Sequence, residues 1–285
     1  MQYSSAILIA AFAVTNVLAH GVITEVQGSN GVNLPGLSVA DGTPRDCPSP
    51  GCGAEADTSI IRSAELGTTK ATALGRTNGG GPVDAETMIS TFMDGASANS
   101  SAVTAARALH AENMARRANL PRAANGGTKT PSGTSETGVK AATGVAAESG
   151  LPTTQDDGTI AMTFHQVNQD GAGPLTAQID ATSGGQDASA FQDAQVSTNV
   201  PGLGIGGLSA AQTTDFPVNV QMPAGMTCSG SVGGASNVCI VRMQNSALAG
   251  PFGGSAAFTQ SPAAKKRAIE YNLAKRRFAR ALKTE

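Results

Sequence analysis

Alternation of apolar and polar residues is strongest between residues 158 and 260. In TIAMTFHQV, Ile160, Met162 and Phe164 alternate with Ala161, Thr163 and His165. This period of two marks a half-buried strand and puts His165 on the face away from the apolar one. FPVNVQM repeats the pattern through Val218, Val220 and Met222, and CIVRMQN makes a third run. Short strands broken by Gly and Pro turns predict a mainly β chain, an antiparallel immunoglobulin-like β-sandwich. Its first part is assigned to residues 20–94, loop-rich with short apolar stretches at Val22-Ile23 and residues 34–39, and its second to residues 155–260.

Between these parts the period changes. Met88, Ile89, Phe92 and Met93 suit one short amphipathic helix within residues 82–94, and the Ala- and Arg-rich residues 102–120 predict a second helix ending before Pro121. Residues 95–154 read as an insertion or linker, because Gly, Ser, Thr, Pro and Ala dominate from residue 123 onward and no large apolar residue recurs. From residue 261 the chain reads as a basic helical tail. Ala264, Ala268, Tyr271, Ala274, Phe278 and Leu282 share one face of it, interrupted by Ile269 and Leu273.

Composition narrows the class. Of 285 residues 40% are hydrophobic, enough for a core, and 14% are charged, too few for a helical bundle or coiled coil. Beyond the N-terminus no apolar run approaches the roughly 20 residues of a membrane helix, so no integral membrane segment is expected after cleavage. The net charge of −2 conceals a tail with eight basic residues against Glu270 and Glu285. A basic tail on an acidic body is not the pattern of a nucleic-acid-binding protein. Three fates for the tail stay open: packing on the sandwich edge, contact with an anionic surface, or removal at Lys266-Arg267 or Arg276-Arg277.

Residues 6–14 are apolar, and Val17-Leu18-Ala19 provides a small-residue exit, so residues 1–19 read as a secretory signal peptide. Its start carries no Lys or Arg. Cleavage there makes His20 the first residue of an extracellular protein. The α-amine, with an ordinary pKa of about 7.7–8.0, and the imidazole of one residue can chelate a metal through two nitrogens. A second imidazole would complete a three-nitrogen brace that suits copper best among the common ions.

An oxidising destination also bears on the four cysteines. They allow three connectivities. Local closure favours Cys47 with Cys52 and Cys228 with Cys239, and a Cys₄ zinc site is the rival, disfavoured because neither pair has CxxC spacing. Asn99-Ser100-Ser101 is a glycosylation sequon. No Ser-His-Asp order stands out, and Asp156-Asp157 and the other carboxylates show no spacing that argues for a glycosidase pair.

Three segments carry a family likeness: HGVITEVQGSNG at the mature N-terminus, TIAMTFHQVNQDGAGPLTAQID in the middle and VRMQNSALAGPFGG near the end. Together with GPVDAE and KKRAIEYNLAKRRFAR, they make a chain that resembles the fungal appressorium-associated secreted virulence-factor family (Egh-like, Gas-like or Mas-like). The likeness spans most of the mature chain outside residues 95–150. It implies a secreted protein active at the cell wall or infection-structure surface during host penetration. The family pattern has Cys where this chain has Ala177 and Ser255, which reads as one bridge lost as a unit, worth on the order of 2–4 kcal/mol.

A more distant likeness is to lytic polysaccharide monooxygenases, which share a signal peptide cut before His, a β core and a second His from an internal segment. It implies His165 as the second ligand, Phe252 in GPFGG as the axial side chain and Gln244 as an orienting hydrogen-bond partner; His110 reads as structural. Two functions follow. One is copper-dependent oxidation of cell-wall polysaccharide. The alternative is a non-catalytic virulence factor or adhesin that binds wall glycan or the host surface. The absence of Trp, with Tyr3 and Tyr271 the two tyrosines, counts against stacking on sugars and so against efficient oxidation.

Overall fold

A computed structural model describes residues 20–122, 126–169, 171–204 and 208–281. The signal peptide assigned to residues 1–19 lies outside them, as does Leu282. The strands are β1 (Gly21–Gln27), β2 (Asn33–Leu34), β3 (Ser59–Ile60), β4 (Arg76–Thr77), β5 (Gly81–Pro82), β6 (Thr128–Lys129), β7 (Thr159–Gln166), β8 (Thr176–Asp180), β9 (Phe191–Thr198), β10 (Thr214–Gln221), β11 (Gly230–Val232), β12 (Ala235–Gln244) and β13 (Phe252–Phe258). The helices are α1 (Ala85–Met93), α2 (Ser101–Ala118), α3 (Gly138–Ala141), α4 (Val145–Ser149) and α5 (Pro262–Ala281).

The strands form one path in the order β2-β1-β7-β10-β9-β8-β12-β13-β3-β4-β5, with β6 beside β10 and β11 beside β12. The pairings are antiparallel, so the chain is mainly antiparallel β, as the alternation implies. The path curls until β1 comes against β13. Leu37 N donates to the Ser255 carbonyl at 2.8 Å, and a Cβ on Gly254 would meet Ile23 N at 2.8 Å, so only glycine permits that approach. The two sheets of the expected sandwich are thus joined through β9 into a half-barrel.

Register explains the core. Phe216, Val218 and Val220 lie opposite Phe164, Met162 and Ile160, and Val241 and Met243 lie opposite Ala256 and Gly254 on the other side of the curl. These side chains are buried in one apolar cluster. In β7 the alternation holds through Phe164, but His165 and Gln166 are buried too. The outer face is therefore covered at that end of the strand. Strand β1 is missing from the sequence reading because Gly21 to Val26 are buried on both faces, which erases the period of two.

Helix α1 starts on Asp84, whose side chain accepts from Glu86 N, and buries Ile89 and Phe92. Residues 126–154, read as part of an insertion or linker, are built into the fold instead. Strand β6 pairs with β10, and Glu136 is joined to Arg45. Their small residues pack close to the sheet, and polar contacts replace the large apolar side chains that a sequence pattern would register. Helix α5 buries Ala264 and Ala268 and is tied to the body at Asn272, whose Nδ2 donates to the Gly225 carbonyl at 2.8 Å; beyond it the helix is exposed, with Phe278 67% exposed. No helix among the described residues is long and apolar enough to cross a membrane.

Both local disulfides are present, Cys47–Cys52 and Cys228–Cys239. The notion of a single lost bridge fails. Ala177 lies opposite Met243 and Ser255 opposite Arg242, neighbouring positions of β12 whose side chains point to opposite faces. Cysteines there could not have joined each other.

Arg45, fully buried, donates through Nη1 and Nη2 to Asp57 at 3.0 and 2.6 Å and through Nε to Glu136 at 2.9 Å. Arg45→Met should cost about 3–5 kcal/mol in urea denaturation, because it strands two buried carboxylates. Burial would raise the Glu136 carboxyl, yet Arg45 holds it below its ordinary value of 4.5. The stability from this pair should therefore be complete above about pH 4.5 and lost as pH falls through the lowered native value. In Arg45→Met that acid-side loss should be absent from the pH–stability curve.

Candidate metal centre

His20 precedes β1, and its carbonyl accepts from Val167 N at 3.0 Å. Val22 lies opposite His165 and Gly21 opposite Gln166, so His20 and His165 are diagonal neighbours on one face of the β1–β7 pair. Both are buried, at 1% and 0% exposure. The polar face expected to present His165 is thus not a solvent face.

Asp215 of β10 sits directly across from His165 and accepts from its Nδ1 at 2.7 Å. In the neutral ring the second nitrogen, Nε2, is left as an electron-pair donor, and it is buried without a hydrogen-bond partner among the described residues. Burial works to raise the Asp215 carboxyl, but the hydrogen bond and charge of His165, with Arg117 nearby, hold it below the usual carboxylate value. Arg117 Nη1 lies 3.4 Å from Asp215 Oδ2.

Around His20 the geometry is as closely set. Its backbone nitrogen donates to Asn168 Oδ1 at 2.9 Å, and Asn168 Nδ2 donates to Glu55 Oε1 at 3.0 Å. Glu55 Oε1 lies 3.1 Å from His20 Nδ1, but off the direction of a hydrogen bond, so neither ring nitrogen has a hydrogen-bond partner. The ring packs on Phe252 with centroids 4.4 Å apart. Gly171, beside the cis Gly173–Pro174 peptide, lies over the His20 backbone.

The structure therefore brings His20, His165 and Phe252 to one end of the curl. Gln244 is half-buried and lies opposite Gly253, one residue from Phe252; its carbonyl accepts from Thr176 Oγ1 at 3.3 Å. His110 is remote in sequence and role, on α2 with Nδ1 3.3 Å from Thr137 Oγ1. Asn99 is exposed in the turn before α2. Sequence reasoning missed Asp215, Glu55 and Asn168. Asn168 stands three residues after His165 in the HQVN segment and Asp215 immediately precedes the FPVNVQM run, whereas nothing in GAEAD distinguishes Glu55. Among the described residues no three His, Cys, Asp or Glu side chains converge closely enough to hold a metal by themselves.

A mainly antiparallel β half-barrel closed at one end by a buried histidine pair is the class that fold and site define. The chain belongs to the Egh16-like virulence factor family, whose profile matches residues 18–253. It is 75% identical to the appressoria-specific virulence factor GAS2 of Pyricularia oryzae over 285 residues, covering 100% of this chain and 98% of that protein. It is 32% identical to the appressoria-specific virulence factor GAS1 of the same fungus over 274 residues, or 94% of this chain and 84% of that one. No solved structure matches the chain.

A Cβ on Gly171 would meet the His20 carbonyl oxygen at 1.8 Å. Gly171→Ala should therefore destabilise the protein by about 1–3 kcal/mol in chemical denaturation. Gly51→Ala, whose Cβ meets nothing nearer than Ser49 Oγ at 3.5 Å, should stay within about 0.5 kcal/mol of the parent.

Proposed function

We propose that this chain is an exported virulence factor of the infection surface, and that the mature protein binds one copper ion through the His20 α-amine, His20 Nδ1 and His165 Nε2. The observation that carries the reading is the buried pair of imidazoles with unpartnered nitrogens, set diagonally on adjacent strands. An imidazole nitrogen buried without a partner is costly, and a cation would satisfy it. With no third His, Cys, Asp or Glu side chain converging there among the described residues, the backbone is a source of the remaining donor, and trimming after Ala19 would supply it. Nitrogen donors of this kind suit copper.

Each residue has a separable task in this reading. Asp215 fixes the His165 tautomer and aims Nε2. Asn168 holds the His20 nitrogen, and Glu55 supplies negative charge beside the His20 ring. Phe252 covers one side of that ring and excludes water from it. Gln244 stands nearby as a candidate orienting group. Bound copper would supply one-electron redox chemistry.

The non-catalytic reading has its own support. A polymer-oxidising site needs an accessible face with rings to stack on sugars, whereas both histidines are buried and the tyrosine within the described residues, Tyr271, is on α5. Binding of wall glycan or host surface without oxidation is therefore the second reading.

Copper titrated into natively processed protein should give a nitrogen-dominated type 2 paramagnetic resonance spectrum at one equivalent. One extra residue before His20, or His165→Ala, should abolish it. Asp215→Asn should weaken copper binding by about 10–100-fold. A spectrum unchanged by the N-terminal extension would overturn the brace. Oxidised oligosaccharides released with a reductant would decide for catalysis, and their absence with copper bound would decide for binding.

A further inference from the structure

Helix α2 has 18 residues but buries only Val103. It stands off the sheet, tied by polar contacts. Arg107 donates to the Ala141 and Thr143 carbonyls at 3.1 and 2.8 Å, Asn113 reaches Thr137 at 3.4 Å, and Arg117 reaches Asp215. Beneath it lies a cavity of about 420 Å³ between the helix, the outer face of β1, β7 and β10, and the α3–α4 segment. That size is within the range of small-ligand sites.

The lining is unusual in its charge balance. Arg107, His110 and Arg117 project from one face of α2, and Arg122 follows just beyond it. The facing carboxylates are largely spoken for. Glu136 is held by Arg45, and Asp215 by His165. Glu25 accepts from Gln27 Nε2 at 3.1 Å, and burial pushes its carboxyl up against the opposing pull of Gln27, His110 and Arg117. Arg107 is engaged by the Ala141 and Thr143 carbonyls and Arg117 Nη1 by Asp215. That leaves Arg117 Nε, buried without a hydrogen-bond partner among the described residues, and the exposed Arg122 as guanidinium donors for a ligand. Thr24, Gln27 and Thr128 add neutral hydrogen-bonding groups, and Leu34, Met114 and Pro217 add apolar surface.

We propose that this cavity binds a small sugar acid, with its carboxylate on Arg117 and Arg122, its hydroxyls on the polar groups of β1 and its C–H face on the apolar wall. Planar guanidinium groups match a carboxylate, often through two parallel hydrogen bonds. A neutral sugar would leave Arg117 Nε unpaired, and a simple carboxylate would leave the β1 groups unused. The site adjoins the proposed copper centre, because Asp215 lines the cavity and also holds His165, but binding of the acid requires no metal.

The test is calorimetric titration of D-galacturonate, D-galactose and acetate into the mature protein stripped of metal by chelation. Galacturonate is expected to bind at least about tenfold more tightly than either of the others. Arg117→Gln and Arg122→Gln should each weaken it by about tenfold, while Arg267→Gln on α5 leaves it unchanged. Arg122 is exposed, so its variant keeps the test sound if Arg117→Gln fails to fold. No binding of galacturonate, equal binding of galactose or acetate, or unchanged binding by a folded Arg122→Gln would overturn the proposal. Because metal is absent throughout, none of these outcomes bears on the copper reading.

Discussion

The guanidinium of Arg45 is shared between two buried carboxylates, and it ties together the loop beside His20 and the segment beneath α2. Asp57, on one side, also accepts from Ala40 N at 3.1 Å and so fixes the loop that carries Glu55 beside His20. Glu136, on the other, accepts from Gly138 N at 3.0 Å and fixes the segment that closes the cavity under α2. Backbone bonds run alongside, with Arg45 N to the Thr134 carbonyl at 2.8 Å and Glu136 N to the Thr43 carbonyl at 2.8 Å. Without that central cation these two long segments would have little apolar surface to hold them, and two desolvated charges would repel each other.

The two faces of the sheet are stabilised by different physics. Inside the curl, aliphatic and aromatic side chains meet across the β7–β10 ladder and from β12 and β13, and the gain comes from removing apolar area from water. Outside, over β1, β7 and β10, burial falls on His20, Glu25, His165 and Asp215. Such groups cost free energy unless paired, and here His165 is paired with Asp215, Asp215 with Arg117, and Glu25 with Gln27. The half-buried roof of α2 belongs to the same polar layer.

Legibility in the sequence followed this division. Strands β7 and β10 could be read because over most of their length one side faces the core and the other does not. Strand β12 could be read from its apolar run, although it is buried on both sides from Val238 to Met243, and α1 because Ile89 and Phe92 mark its buried side. The two disulfides could be read because each closes locally. Strand β1 could not, being covered on both faces, nor could β9, whose residues after Phe191 are largely exposed. His20 and His165 stood out through their type and position, whereas Glu55 and Asp215 reach them through long-range pairing that no local pattern encodes. Residues 126–154 looked like a linker because their part in the core is made mostly by small residues such as Ala142 and Ala146, and the remaining ties are hydrogen bonds and ion pairs.

The loop at Gly171 presses on the His20 backbone while that residue's nitrogen is still an amide hydrogen-bonded to Asn168. An amide nitrogen has its electron pair delocalised into the carbonyl and is a poor ligand. A cut after Ala19, as proposed, would turn that amide into an amine with a free electron pair, so the three-nitrogen set would exist only in the trimmed chain.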